Sequence, residues 1–149
     1  MNAYESATYH EAGHAVVGML CGARLLFVQV DEDARGRCDF ERSTLTGDGV
    51  VRTAMAGPAA EYMYHHPGAV GFTFADCNAS IVDLEDVEAY CAKFLPAEGQ
   101  SIREQHWAVT CQILASNWAA IQRVASEIKQ HAGTCLCGTA IAELAESRR

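Results

Sequence analysis

Two histidines one helical turn apart, with a glutamate between them, constrain this chain more than any other feature. The residues His10-Glu11-Ala12-Gly13-His14 have the pattern H-E-x-x-H. On an α-helix, residues four apart project from the same face, so His10 and His14 can present their ring nitrogens to one metal ion. Glu11 lies on the flank of that face, where a carboxylate can hold the metal's water and take its proton. The motif therefore predicts a helix that carries two metal ligands and a general base.

The sequence around the motif is typical of a helix. With six histidines in the chain, random placement gives roughly 0.02 copies of the motif, so chance does not explain it. Gly22 is a natural helix stop. Gly13 weakens a helix by about 1 kcal/mol relative to Ala, and its presence indicates that another segment passes close to the backbone there. One stripe of the predicted helix carries Ala3, Ala7, His14, Val17 and Cys21.

Composition narrows the class of protein. The 149 residues suffice for a single domain, 1–149, with a sizeable hydrophobic core. A net charge of −8 argues against nucleic acid as a ligand, because phosphate binding requires a basic face. The longest apolar run, 15–30, contains Arg24 and two glycines and falls short of the ~20 residues that span a bilayer, so we expect no membrane segment. No positively charged segment precedes it, which favours a cytoplasmic protein over a secreted one.

Seven cysteines are many, and an odd number, for a chain without a secretion signal. We interpret them as free thiols in a reducing cytosol, with Cys21, Cys91 and Cys111 as core residues. His131, Cys135 and Cys137 lie close together in sequence and resemble a second metal site. However, Cys-x-Cys lacks the spacing of structural zinc sites, which disfavours that interpretation.

The first half of the chain predicts a hairpin and a second helix. Leu25 to Val30 is β-prone, a polar turn follows, and Arg37 to Phe40 returns as a second strand. In zinc peptidases, a strand along the cleft can bind an extended peptide through its main chain. Residues 50–64 then predict a helix, with Asp48 as its candidate N-cap and a kink or restart at Gly57-Pro58.

Glu61 is unusual as a carboxylate on so apolar a segment. We slightly favour a solvent-exposed helix position, and the alternative is a hydrogen bond to the second ring nitrogen of a ligand histidine.

The second half of the chain predicts three helices. The first runs from Ile81 to Leu95 and is closed by Pro96; Ser80 and Asp83 have the form of a capping box at its start. A long helix follows over 101–131, with Ser101 and Glu104 as another capping-box candidate and a possible break at 116–117. A short helix over 139–146 closes the domain. The expected fold class is therefore mainly α (α+β), with a small β-hairpin and a long C-terminal helix.

Two histidines do not complete a catalytic zinc site, which typically has three protein ligands and one open position. The chain lacks the extended form in which a third histidine follows the motif. The third ligand must come from farther along the chain, and acidic residues near the start of a helix are candidates: Asp76, Asp83, Glu85 and Asp86.

Three segments carry a family pattern in addition to the motif itself. They are the stretch 9–18 around the motif, the segment Ala56-Gly57-Pro58-Ala59-Ala60-Glu61, and the segment Asp83-Leu84-Glu85. In this order they resemble the active-site helix, the A-G-R-A-A-E segment and the N-D-L-E-x-A-T helix of the FtsH-type ATP-dependent zinc metalloproteases. The closing helices are also similar, so the resemblance spans most of the chain. Pro58 replaces the family's arginine, and Val82 replaces its asparagine.

The resemblance implies a helical zincin-like peptidase domain in which Asp83 is the third zinc ligand, with Asp76 and Asp86 as fallbacks. The chain has no phosphate-binding G-x-x-x-x-G-K-[ST] loop, so we expect a stand-alone domain without the family's ATPase. Such a domain can cleave only peptides or unfolded proteins, unless a separate unfoldase supplies them. A homo-oligomer is consistent with the resemblance.

The predicted function is zinc-dependent hydrolysis of peptide bonds, with Glu11 as general base and His10, His14 and Asp83 as ligands. One alternative is a non-catalytic zinc-containing module that binds a peptide or protein on a peptidase scaffold. Another is a metal-free helical domain that acts through self-association. Retention of Glu11 favours the enzyme, because a purely structural zinc site does not need it.

Overall fold

Six helices and a three-stranded antiparallel sheet make up residues 2–146, the part of the chain that the computed structural model describes. The helices are α1 (Ala3–Leu20), α2 (Asp48–His65), α3 (Ile81–Cys91), α4 (Pro96–Ser116), α5 (Trp118–Gln130) and α6 (Gly138–Glu146). The strands are β1 (Leu25–Val30), β2 (Gly36–Phe40) and β3 (Leu136–Cys137). Two short 3-10 turns cover Arg42–Thr44 and Phe74–Asp76. The prediction of a mainly helical α+β fold is confirmed.

The predicted motif helix is present and ends as expected. Asn2 caps the start of α1 by accepting hydrogen bonds from the backbone N–H groups of Tyr4 and Glu5. Gly22 follows the helix with a φ of +93°, which is accessible to glycine at little cost. The stripe of Ala3, Ala7, His14, Val17 and Cys21 is divided between two environments: Ala3, Ala7 and His14 line a cleft, whereas Val17 is buried in the core. Ala12, Ala15 and Val16 are buried in the core with it.

The predicted hairpin is confirmed, and a third strand extends it. β1 and β2 pair antiparallel, with Val30 opposite Gly36 at the turn. β3 pairs with the other edge of β1, with Phe27 opposite Cys137, so the strand order is β2-β1-β3. β3 has only two residues and no periodic pattern, which is why the sequence did not predict it. β2 is left as an edge strand.

α2 differs from its prediction at two points. Gly47, not Asp48, occupies the N-cap position, and Asp48 is the first helical residue. Pro58 lies inside the helix, which continues from Asp48 to His65, so of the predicted kink or restart the restart does not occur. Pro58 itself is buried, so packing around α2 holds the segment helical although proline disfavours a helix interior.

The long C-terminal helix is divided, as the sequence allowed. α4 ends at Ser116, and α5 begins at Trp118. Between them, the Asn117 side chain donates a hydrogen bond to the Ile113 carbonyl at 2.8 Å. The capping box predicted at Ser101 and Glu104 is wrong, because α4 already begins at Pro96. Proline is favourable in the first turn of a helix, so Pro96 starts α4 instead of closing α3, which ends earlier, at Cys91.

The hydrophobic core has two parts. The larger part lies between α1, α2, β1, α5 and α6, and its most buried members include Val17, Val28, Ile121, Val124 and Ile141. A smaller cluster joins α2 to α3 through Val51, Met55, Val87 and Cys91. Among residues 2–146, no helix is both long and apolar enough to cross a lipid bilayer.

Candidate metal centre

The site is built on the close packing of α1 against α2. A Cβ atom added to Gly13 would lie 2.5 Å from the Ala56 carbonyl oxygen and 2.7 Å from the Ala60 Cβ atom. One added to Gly57 would lie 2.3 Å from His14 Nε2. The two glycines therefore let the helices approach within backbone contact. The expectation that another segment passes close to Gly13 is confirmed, and that segment is α2.

Polar contacts follow one side of this helix pair at intervals of one turn. Ser6 Oγ lies 2.5 Å from His65 Nε2, and His10 Nδ1 lies 3.0 Å from Glu61 Oε1. His14 Nδ1 donates to the Thr53 carbonyl oxygen at 2.7 Å. Each motif histidine thus has its Nδ1 atom engaged by α2, which fixes the ring and leaves Nε2 to face the cleft.

Asp83 meets both free ring nitrogens. His10 Nε2 lies 3.1 Å from Asp83 Oδ2, and His14 Nε2 lies 3.3 Å from Asp83 Oδ1. In a tetrahedral site with metal–ligand bonds of about 2.0–2.1 Å, ligand atoms lie roughly 3.3 Å apart. One ligand atom from each of the three residues lies within 4.8 Å of the others. The cluster of His10, His14 and Asp83 therefore has the donor types and the spacing to hold a metal ion.

Asp83 also caps α3, as the sequence predicted. Its backbone N–H donates to Ser80 Oγ at 3.1 Å, and its carboxylate accepts from the Ser80 backbone N–H at 3.4 Å. The two roles predicted for this residue are therefore compatible. The cap holds the Asp83 side chain at the helix start, and Oδ1 and Oδ2 both reach the histidines.

The other acidic candidates lie apart from this cluster. Asp76 closes a separate capping box with Thr73, whose backbone N–H it accepts at 2.8 Å. Glu85 and Asp86 are exposed, and Asp86 lines the cleft without joining the cluster. Of the four candidates, the structure brings only Asp83 to the histidines.

The favoured interpretation of Glu61 as a solvent-exposed helix residue is wrong. Its side chain is only 16% exposed and contacts His10 Nδ1. The alternative is confirmed: Glu61 is a hydrogen-bond partner of a motif histidine. Its position one turn beyond Gly57, on the side of α2 that faces α1, was the signal available in the sequence, but the pairing of the two helices was needed to interpret it.

The histidines and the acidic residues of the cluster shift one another's pKa values. Burial lowers the pKa of His10, but hydrogen bonds to Asp83 and Glu61 outweigh it and raise this pKa to about 10. Burial raises the pKa of Asp83, but the two histidines hold it well below its usual range. Without a metal, the structure therefore favours a protonated His10 ring beside an ionised Asp83, and a metal ion would take the place of that proton.

Glu11 stands beside the cluster and under β2. It is only 8% exposed, and a Cβ atom added to Gly36 would lie 2.4 Å from Glu11 Oε2. Burial raises the pKa of Glu11, while His14 and His10 oppose the shift. A raised pKa makes this carboxylate a stronger base than an exposed glutamate, which suits a general base.

A cleft of about 860 Å³ opens at these residues. Its lining includes the edge strand β2 and the first turn of α3 with the segment 78–80 before it. His10, Glu11 and His14 of α1 also line it. The cleft is large enough for several side chains of an extended ligand, and it gives access to the cluster from solvent.

The remaining predicted and rejected candidates lie elsewhere. Within residues 2–146, the three-residue cluster is the only group of histidine, cysteine, aspartate or glutamate with metal-ligand spacing. His131 instead lies 3.1 Å from Glu127, so it does not form a site with Cys135 and Cys137. The Thr53 carbonyl is a site component that the sequence analysis missed, and no side-chain pattern could reveal a backbone acceptor.

No protein-family model matches the chain, and no characterised protein matches it either. The fold and the site define a mainly helical domain with a His-His-Asp cluster in an open cleft.

Proposed function

We propose that this chain is a zinc-dependent metallopeptidase with a helical zincin-like fold, which hydrolyses peptide bonds in peptides or unfolded proteins. The observation that carries the proposal is the convergence of His10 Nε2 and His14 Nε2 on the Asp83 carboxylate, with Glu11 beside them in an open cleft. The resemblance of the segments 9–18, 56–61 and 83–85 to FtsH-type zinc metalloproteases supports it.

His10, His14 and Asp83 would hold the metal. Two imidazole nitrogens and one carboxylate oxygen suit Zn²⁺, and three protein ligands leave a position open, as catalytic sites require. When bound, Zn²⁺ supplies Lewis-acid chemistry: it polarises a carbonyl and lowers the pKa of water. Glu61 and the Thr53 carbonyl orient the two rings through their Nδ1 atoms.

Glu11 carries the proton in this proposal. Its carboxylate takes a proton from the attacking water and returns it to the departing amine, so the residue ends the cycle in its starting state. Its burial under Gly36 excludes bulk solvent on one side and leaves the cleft side free for substrate. The raised pKa of Glu11 favours the first transfer, because it makes the carboxylate a stronger base than an ordinary glutamate.

The edge strand β2 suits an extended substrate. β1 occupies one edge of β2, and β2 lines the cleft through Gly36, Arg37, Cys38, Asp39 and Phe40. A peptide added along the free edge would form main-chain hydrogen bonds independent of its sequence, beside Glu11 and the metal ligands. This geometry favours unfolded chains and peptides over folded proteins.

The test is the metal content and peptidase activity of four forms of the chain. Wild type should bind one zinc ion and cleave casein or an unstructured peptide. Asp83→Ala should lose both properties, because the site loses a ligand. Glu11→Gln should keep the zinc and lose at least about 100-fold in cleavage rate. Asp86→Asn is the matched control, because it removes a carboxylate from the same cleft but outside the cluster, and it should keep both properties.

Two outcomes would contradict the proposal. Cleavage by Glu11→Gln at the wild-type rate would remove the assigned general base. Zinc binding by wild type without any cleavage would instead identify a peptide- or protein-binding module on a peptidase scaffold.

A further inference from the structure

A second cavity, of about 530 Å³, lies beside the cleft of the candidate metal centre. The 3-10 turn Phe74–Asp76, the start of α3 and one side of α4 contribute to its lining. Asn78 and Ala79 line both this cavity and the cleft. Two exposed apolar side chains of α3 also stand at the two spaces: Val82 lines the cleft and Leu84 lines the second cavity. A peptide in the cleft therefore needs to cross only the segment 78–79 to place a side chain in the second cavity.

Aromatic rings line this second cavity, which we call the aromatic cavity. The ring centroids of Phe74 and Trp107 lie 5.6 Å apart, and the two rings are tilted by 59°. The Trp107 indole N–H donates to the Phe72 carbonyl oxygen at 3.0 Å, and the Phe72 ring packs edge-on against Trp107. These contacts fix the orientation of the Trp107 ring. Because aromatic rings prefer edge-to-face and offset contacts with one another, a third ring is favoured here over an aliphatic side chain.

The charged groups of the aromatic cavity favour an uncharged occupant. Arg103 lines the cavity, and its Nη1 atom donates to Glu88 Oε1 at 2.7 Å, so its charge is already paired. Glu104 lines the cavity as well, and its carboxylate accepts a hydrogen bond from the neutral Gln100 side chain at 3.0 Å. An acidic side chain in the cavity would be repelled by Glu104, whereas an uncharged ring would not.

The segment between the cleft and the aromatic cavity can hold a peptide backbone. Within residues 2–146, the backbone groups of Asn78 and Ala79 form no hydrogen bond with another backbone group. Their neighbours Cys77 and Ser80 have extended backbone conformations, with ψ of 159° and 164°. Unpaired backbone in extended conformation can form main-chain hydrogen bonds with a peptide. The Ser80 backbone N–H also donates to the Asp83 carboxylate at 3.4 Å, so this segment leads directly to the metal centre.

We propose that the aromatic cavity receives a phenylalanine, tyrosine or tryptophan side chain of the peptide that lies in the metal cleft. The inference rests on the proposed function, because it assigns a substrate class to the same site. Main-chain contacts at β2 and at the segment 78–79 hold the peptide whatever its sequence. The aromatic cavity then selects one side chain at a fixed distance from the bond that is cut, so bonds near an aromatic residue are the preferred substrates.

The experiment measures cleavage of unstructured peptides of equal length by the zinc-loaded chain. Each peptide has a glycine, serine and alanine sequence in which phenylalanine replaces one alanine, at a different position in each peptide, and the reference peptide has no aromatic residue. We expect the cut bond, located by mass spectrometry, to move with the phenylalanine at one constant spacing. Its kcat/KM should exceed that of the reference peptide about tenfold or more. Cut sites that ignore the phenylalanine would overturn the proposal.

Leu84→Gln tests whether the aromatic cavity is responsible for this selection. Ile81→Gln is the matched control, because Ile81 is also an exposed apolar residue of α3 but lines neither the cleft nor the aromatic cavity. Leu84→Gln should reduce the ratio of kcat/KM for the phenylalanine peptide to that for the reference peptide at least about threefold. Ile81→Gln should keep the wild-type ratio. A Leu84→Gln variant with the wild-type ratio would mean that selection occurs elsewhere, which contradicts the proposal.

A binding measurement separates this proposal from the proposed catalysis. The chain has two tryptophans, so Glu11→Gln combined with Trp118→Phe leaves Trp107 as the only one, and its fluorescence reports on the aromatic cavity. The phenylalanine peptide should change this fluorescence and bind about tenfold more tightly than the reference peptide. That result without cleavage by wild type would support the aromatic cavity and reject the peptidase. Equal binding of the two peptides would reject the aromatic cavity, even if wild type cleaves both.

Discussion

Each nitrogen of the His10 ring faces a carboxylate, Asp83 at 3.1 Å and Glu61 at 3.0 Å. This arrangement serves two states of the site. With a metal bound, Glu61 holds the ring in place while Nε2 binds the ion. Without a metal, the same two carboxylates stabilise a protonated ring, which is why the pKa of His10 rises to about 10. In the proposed metallopeptidase, a metal ion and a proton would therefore compete for the Nε2 atom of His10.

The metal-free protein should become less stable as pH rises from 6.5 to about 10. The folded-state pKa of His10 lies above its unfolded value, so its contribution is complete below pH 6.5 and disappears as the ring loses its proton in the folded state. We expect the free energy of unfolding to fall by a few kcal/mol at most across this range. Urea denaturation at several pH values measures it.

Two controls isolate the histidine. His10→Gln should lack this part of the pH dependence, and saturating zinc should remove it from wild type, because zinc binds the neutral ring. A metal-free wild type whose stability changes with pH exactly as the His10→Gln variant's does would contradict the assignment.

Glu61→Gln should weaken zinc binding by about 10- to 100-fold, because a neutral amide holds the His10 ring less firmly and makes its nitrogen less basic. A competition titration against a zinc-sensitive dye measures the change. Glu127→Gln is the matched control: it removes a carboxylate that contacts an exposed histidine, His131, outside the site. A Glu61→Gln variant that binds zinc as tightly as this control would show that the contact does not matter for the metal.

At the scale of elements, the packing of α1 on α2 places the histidines. Gly13→Ala should destabilise the protein by about 1–3 kcal/mol, since the new methyl group would overlap the Ala56 carbonyl and force the helices apart. It should also weaken zinc binding, because His14 and the Thr53 carbonyl would separate. Urea denaturation and zinc titration measure the two effects.

Gly49→Ala is the control for helix propensity. Gly49 is also helical, but a Cβ atom there would meet its nearest neighbour at 3.3 Å, so the variant should be close to neutral or slightly more stable. Equal stability changes in Gly13→Ala and Gly49→Ala would mean that the close approach at Gly13 carries no energetic weight.

At the scale of the whole molecule, the cluster of His10, His14 and Asp83 connects α3 to α1, beside a small apolar contact between α3 and α2. Only Asp83, Val87 and Cys91 of this helix are buried, and Asp83 alone contacts the motif histidines. α5, by contrast, buries five residues in the larger core. Because a ligand stabilises the folded form that binds it, zinc should protect α3 more than it protects α5.

Removal of zinc with a chelator should therefore raise the exchange rates of the amide hydrogens in Ile81–Cys91 more than those in Trp118–Gln130. Hydrogen–deuterium exchange followed by mass spectrometry resolves the two helices. Asp83→Ala should show fast exchange in α3 with or without zinc. An equal change in exchange rate over the whole chain would show that the metal stabilises the fold globally instead of stabilising α3 in particular.

Local features of this protein were predictable because their causes lie close together in the sequence. The motif helix follows from its residue pattern, the hairpin from two β-prone runs around a polar turn, and the start of α3 from the capping box of Ser80 and Asp83. Gly13 even indicated a close neighbour. The boundary errors are local: Gly47 takes the N-cap position expected for Asp48, and α4 begins at Pro96, whose fixed φ suits the first turn of a helix, before the expected start at Ser101.

The sequence by itself determined the motif, its helix and the residue types that a metal requires. The tertiary structure decided which distant residues complete the site: Asp83 instead of Asp76 or Asp86, and Glu61 as the partner of His10. It also added β3 to the sheet and left β2 as the strand beside the cleft. The physical reason is that a helix or a cap depends on neighbours a few residues away, whereas a metal centre depends on how helices far apart in the chain pack together.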